Sequence, residues 1–81
     1  MEVTVLLFAA HRERVGVPSA VVSLPDGSTV RTLLSRLRGL GGGWRDLPPA
    51  PAVAVNRRYA SGDSVLADGD EVALIPPVAG G

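Results

Sequence analysis

From Ser28 to Gly39 the chain reads STVRTLLSRLRG, and the apolar residues Val30, Leu33, Leu34 and Leu37 recur at i, i+3, i+4 and i+7. That spacing is one stripe of a 3.6-residue helix. Ser28 or Thr29 can supply a capping hydroxyl, Arg36 and Arg38 stand where the helix dipole favours cations, and Gly39 is the expected stop. A helix of this kind must bury its stripe against another element. The other apolar segments read as strands, so the surface it covers is a sheet.

EVTVLLF (2–8) is rich in β-branched and large apolar residues, as a strand should be. Val3, Val5 and Leu7 share one face, and Thr4, Leu6 and Phe8 the other; both are largely apolar, which suits a central strand. AAHRERVG reads as a polar excursion, SAVVSL (19–24) as a second strand and PDG (25–27) as a turn. Residues 39–51 form a loop heavy in Gly and Pro. AVAVN (52–56) is a short strand, NRRYASGD (56–63) is turn-like, ADGD (67–70) is a turn and EVALI (71–75) is the final strand. The order ββα, loop, ββ is an α+β layer pair, and the expected topology is a ubiquitin-like β-grasp with one main helix on a mixed sheet. The chain then divides into a β-grasp domain over residues 1–75 and a flexible C-terminal tail over 76–81.

In that arrangement the helix stripe packs on Val3, Val5, Leu7, Val53, Val55, Val72 and Leu74. The opposite face carries Leu6, Phe8, Ala73 and Ile75, with no second helix to cover it. Either it is a partner surface, as exposed apolar patches on small domains usually are, or the loop 39–51 folds over it.

Composition narrows the function. Eighty-one residues allow one small domain, which buries about 60–65% of the surface of its unfolded chain. Net charge is zero; all eight basic residues are arginines, dispersed along the chain, and Phe8, Trp44 and Tyr59 are the three aromatics. Such a chain has neither the electrostatic footprint nor the stacking platform of a nucleic-acid binder. No apolar run approaches the ~20 residues that span a bilayer, so no membrane partner is expected. The start lacks a basic n-region and a cleavage site, and no cysteine is present, so the cytoplasm is the expected location.

Catalytic machinery is missing as well. Gly41-Gly42-Gly43 is not followed by Gly-Lys-Ser/Thr, and the chain contains no lysine, so a flexible loop is expected rather than a phosphate cradle. Asp63, Asp68, Asp70 and Glu71 miss the calcium-loop spacing and read as turn residues. His11 is the sole histidine, leaving almost nothing from which to build a metal site or a nucleophile–base pair.

The end of the chain, PPVAGG, is the unusual part. Pro76 and Pro77 lack backbone N–H groups, so the strand ladder has to stop near Ile75. Six extended residues reach about 20 Å at ~3.3 Å each. Small and uncharged, Val78-Ala79-Gly80-Gly81 could be threaded down a narrow channel. Terminal glycine leaves the carbonyl carbon least hindered, which suits activation of the carboxylate itself.

Phe8-Ala9, Arg12-Glu13, Thr29-Val30, Ala54-Val55-Asn56, Asp68-Gly69-Asp70-Glu71-Val72-Ala73 and Pro76-Pro77-Val78-Ala79-Gly80-Gly81 together span essentially the whole chain. In this pattern it resembles the small subunit of molybdopterin synthase, within the β-grasp sulfur carriers. The resemblance implies that an E1-like adenylyltransferase uses ATP to adenylate the carboxylate of Gly81, and that a sulfur donor enzyme converts the adenylate to a thiocarboxylate. It implies further that the molybdopterin synthase large subunit takes up the tail (Pro76, Pro77, Val78, Ala79, Gly80), where sulfur passes to cyclic pyranopterin monophosphate. The small subunit then binds no cofactor of its own and leaves catalysis to its partners. Partner-contacting positions of the family fall on Phe8, Arg12, Tyr59 and Ile75. Two other readings stay open: a carrier for thiamine, cysteine or tRNA thiolation, and a ubiquitin-like protein modifier. Without lysine, the latter could not form lysine-linked chains.

Overall fold

The computed structural model describes residues 1–77; the expectations for Val78, Ala79, Gly80 and Gly81 lie outside the described residues. Strand β1 (Glu2–Leu7) is followed by a short helix α1 (Ala9–Val15), β2 (Ser19–Ser23), the main helix α2 (Val30–Arg38), a 3-10 turn (Gly42–Trp44), β3 (Ala52–Val55), β4 (Arg58–Ala60) and β5 (Glu71–Ile75). The strands form one sheet in the order β2-β1-β5-β3-β4. β1 and β5 run parallel at its centre, while the β1–β2, β3–β5 and β3–β4 pairs are antiparallel. The sheet is mixed, as expected.

Helix α2 starts where its cap dictates. Thr29 accepts from the backbone N–H of Thr32, and Thr32 reciprocates to the Thr29 N–H, each at 3.3 Å. This is a capping box with threonine in the usual Glu/Gln place. Ser28 has a different task, donating its hydroxyl to the Pro25 carbonyl at 2.7 Å. Val30, Leu33 and Leu37 are fully buried on Val3, Val5, Leu7, Val53, Val72 and Leu74. Two expected core residues sit further out: Leu34 and Val55 are half-buried and pack against the cluster's edge.

Two elements exceed the expected order. AAHRERV is helical, with His11 and Val15 one turn apart facing inward and Gly16 (φ 93°) closing it in the left-handed conformation that glycine allows. NRRYASGD contains β4, joined to β3 by a two-residue turn in which Asn56 (φ 50°) and Arg57 (φ 71°) are both left-handed. Positive φ at both central residues is the type I′ geometry that suits the twist of a hairpin.

Loop 39–51 turns mainly to the core side, and only its end, at Pro48, Ala50 and Pro51, borders the open face beside Tyr59 and Ile75. Leu47 is buried in the core and Trp44 packs against it, while the 3-10 turn lies on α1. There Gly43 is not a flexible spacer. A Cβ built on it would lie 1.8 Å from the Arg14 carbonyl oxygen, so only glycine lets the two backbones meet. Arg14 adds a hydrogen bond from Nη1 to the Asp46 carbonyl at 2.9 Å.

Candidate functional site

Alternation along β5 sends Val72 and Leu74 into the core and Glu71, Ala73 and Ile75 to the other side. Pairing then sets their neighbours. Leu6 lies opposite Ala73, Ala73 opposite Ala54, and Ala54 opposite Tyr59, one row across four strands; Ala52 lies opposite Ile75 in the next row. Small alanines hold the centre, with Leu6, Ile75 and Tyr59 around them. Leu6, Ala73 and Ile75 are half-buried, and Tyr59 is 81% exposed. No helix covers this face among the described residues.

Phe8 continues β1 in extended geometry (φ −128°, ψ 155°) and is 47% exposed as the residue before α1. Arg12, also exposed, is one helical turn on, its N–H donating to the Phe8 carbonyl at 3.3 Å. Phe8, Tyr59 and Ile75 therefore border one open apolar face, and Arg12 stands at the Phe8 end of it. At the other side β5 runs straight from Ile75 into half-buried Pro76 and exposed Pro77. These prolines, with Pro48, Ala50, Pro51, Ala52, Tyr59 and Ile75, line a groove of about 400 Å³.

Reading 56–63 as a turn gave Tyr59 no place on the sheet, although the resemblance marks it as a contact position. Its placement follows from β4, and the signal for β4 was weak because Asn56-Arg57 lacks the glycine that usually marks a type I′ hairpin.

His11 was set aside as chemically isolated, yet it is the one titratable side chain in the core. It is 3% exposed, and its Nε2 has no hydrogen-bond partner. Burial, and then the nearby positive charge of Arg14, lower its pKa from 6.5, while hydrogen bonding with the Ile75 backbone opposes them. It thus abuts the point where β5 gives way to the proline pair.

Asp68 and Asp70 serve the turn, as expected, whereas Glu71 opens β5 and Asp63 pairs with Arg31. Asp70 accepts from Asn56 Nδ2 at 2.9 Å and from the Ala67 N–H at 2.8 Å; Asn56 Oδ1 accepts from the Glu71 N–H at 3.0 Å. Asp68 accepts from the Glu2 N–H at 2.7 Å. These bonds fix the entry of β5 beside β1 and β3. Among the described residues no group of three or more His, Cys, Asp or Glu side chains could hold a metal, and no helix is long and apolar enough to cross a membrane.

A mixed five-stranded sheet with a helix packed across one face and the parallel pair β1–β5 at its centre defines a ubiquitin-like β-grasp protein of the α+β class. More narrowly, residues 5–81 match the ThiS family model, and the chain belongs to that family. The molybdopterin synthase sulfur carrier subunit of Mycobacterium tuberculosis is 40% identical over 82 residues, covering 100% of this chain and 99% of the relative. Among solved structures, small archaeal modifier protein 1 of Haloferax volcanii superposes with a TM-score of 0.83 at 28% identity, over 95% of this chain and 98% of that one. A chain in the complex of subunits 1 and 2 of the molybdopterin-converting factor of Helicobacter pylori gives a TM-score of 0.74 at 26% identity, with 100% of each chain covered.

Proposed function

We propose that this chain is the sulfur carrier subunit of a molybdopterin synthase. The Gly81 carboxylate attacks the α-phosphorus of ATP on an E1-like adenylyltransferase, and pyrophosphate leaves. A sulfur donor enzyme then delivers sulfur to the carbonyl carbon, displacing AMP and leaving a thiocarboxylate. The molybdopterin synthase large subunit receives the tail, and sulfur passes to cyclic pyranopterin monophosphate. The observation that carries this reading is continuity: β5 leads from an uncovered apolar face, through Ile75, directly into Pro76-Pro77 and the Gly-Gly sequence beyond. In this reading the open face is the docking surface and Pro76-Pro77 the root of the segment that the partner takes up.

The chemistry demands this division of labour. An α-carboxylate, with a pKa of about 3.3–3.7, is fully ionised at neutral pH and a poor electrophile until its oxygen becomes a leaving group. With no cysteine in the chain, that carbonyl is where a reactive sulfur can be held. The partners' active sites supply the groups that stabilise the developing charges.

Intact mass spectrometry of the protein from its native cell should find a species in which sulfur replaces one terminal oxygen. Deleting Gly81 would set the carboxylate about 3.5 Å short of the reacting phosphate, and even about 1 Å of misplacement can slow a reaction around 100-fold. Pyrophosphate exchange with the activating enzyme should therefore vanish, with little change in the thermal melt. Exchange at the wild-type rate would overturn the carrier reading.

The likeness to small archaeal modifier protein 1 favours one second reading, a protein modifier. It shares the activation step and differs in the final nucleophile, an amine in place of sulfur. Conjugates of higher mass in the native cell, without the sulfur-bearing species, would select it.

A further inference from the structure

Leu34 belongs to the α2 stripe but is only half-buried, and what it faces is a cleft. Between α2 and residues 49–51 lies a space of about 350 Å³. Val30, Leu34, Val53 and Ala60 give it apolar walls; Arg31, Ser35 and Arg38 give it a polar side. The two arginines differ. Arg31 is paired with Asp63, whereas Arg38 has no carboxylate within ion-pair distance among the described residues. α2 itself carries three arginines and no acidic residue, and two of them, Arg31 and Arg38, line the cleft.

We propose that this cleft is a docking site for an acidic peptide segment of a partner protein, with an apolar side chain set against Leu34, Val53 and Ala60 and a carboxylate on Arg38. Ligand sites span roughly 300–1,000 Å³, so the space admits one or two side chains rather than a large cofactor. No aromatic residue lines it, so it lacks the ring platform on which nucleotide bases usually stack. With Arg31 already neutralised by Asp63, the Arg38 guanidinium balances a single negative charge, as a carboxylate carries, better than the two of a phosphate group. The cleft opens on the α2 side, away from Leu6 and Ala73, and shares only the wall formed by Ala50 and Pro51 with the groove beside Tyr59 and Ile75.

The test is an NMR titration of the ¹⁵N-labelled full chain with acetyl-Leu-Glu-Glu-amide, and with acetyl-Leu-Lys-Lys-amide as its charge-reversed control. Peptide is carried to about 10 mM, well above a Kd of ~1 mM. The acidic peptide should give saturable shifts at amides in 30–38, 50–53 and 60–62, and the basic peptide none. Arg38→Gln, a change at an exposed position, should keep the melting temperature and weaken binding roughly five- to tenfold. Absence of saturable shifts, equal binding of the basic peptide, shifts centred on Leu6 and Ala73, or unchanged affinity in the folded R38Q protein would each overturn the proposal.

Discussion

The two faces of this sheet are built from the same five strands and obey opposite rules. On the helix side, Val3, Val5, Val72 and Leu74 are at most 1% exposed, and α2 presses Leu33 and Leu37 onto them. On the other side, the register brings Ala54 and Ala73 to the middle of a row that runs from Ser19 through Leu6 to Tyr59. Branched side chains fill the space between two layers. Alanines fill nothing, and leave a flat surface whose larger residues stand at its margins. Alternation alone separates the faces, yet side-chain volume decides which one this chain can cover by itself.

If that division is real, substitutions on the two faces should fail in different assays. Leu37 is fully buried, and Leu37→Ala should lower stability by about 2–5 kcal/mol through lost transfer energy and the cavity left behind. Domains hold about 5–15 kcal/mol in total, so the shift in denaturant midpoint should be large. Binding to partners by the fraction still folded should be unchanged. An unmoved midpoint would mean the stripe is not what holds the sheet.

Ile75→Asp should do the converse. Its side chain is half-buried on the open face, so the circular dichroism spectrum should be retained. Calorimetry with the large subunit should show association weakened by about 2–4 kcal/mol, through lost apolar burial and a carboxylate denied water. Normal binding, or an unfolded variant, would erase the distinction between the faces.

Gly43→Ala asks to which side loop 39–51 belongs. The new Cβ would collide with the Arg14 carbonyl and the Val15 Cα, both backbone atoms that cannot swing away. Separating the 3-10 turn from α1 should cost about 1–3 kcal/mol, the usual penalty of overpacking, read as a lower melting temperature. Gly42→Ala meets no atom within 4 Å but demands a strained φ of 53°, so its smaller loss would measure conformation without collision.

How much of this was legible in the sequence varied with the kind of signal. The α2 stripe and the EVALI strand could be read because period and chemistry agree over many residues, down to the bounds Glu71–Ile75. α1 could not, since only His11 and Val15 face inward along it and two positions do not make a period. β4 was hidden by Asn56-Arg57, whose left-handed backbone is held in place by Asn56 bonding across to Asp70 and Glu71, a contact 14 and 15 residues away in sequence. The glycine run looked like slack because close approach between distant backbones leaves no local trace. For the candidate site, alternation yielded Phe8 and Ile75, while Arg12 and Tyr59 came from the resemblance alone, and only the hairpin register puts Tyr59 in the same row as Ala54. The tail expectations from Val78 to Gly81 lie outside the described residues.

The smallest expected effect concerns the seam between the faces, where His11 is buried behind Ile75. Its pKa is lowered from 6.5, first by burial and then by the charge of Arg14, so the folded state favours the neutral ring. Above pH 6.5 the imidazole is neutral in both folded and unfolded chains and exacts no penalty. As pH falls below 6.5 the unfolded chain takes up a proton that the folded one resists, and stability declines until the folded value is passed. The loss is at most about 1.4 kcal/mol for each pH unit in that window. Urea midpoints measured from pH 7.5 down to 5 should therefore fall in the wild type and fall less in His11→Leu, which keeps the apolar volume and removes the orphaned Nε2. Carboxylates titrate mainly below this range, so the difference between the two curves isolates the histidine. Parallel curves would mean that His11 is solvated in solution and that the seam beneath Ile75 is open to water.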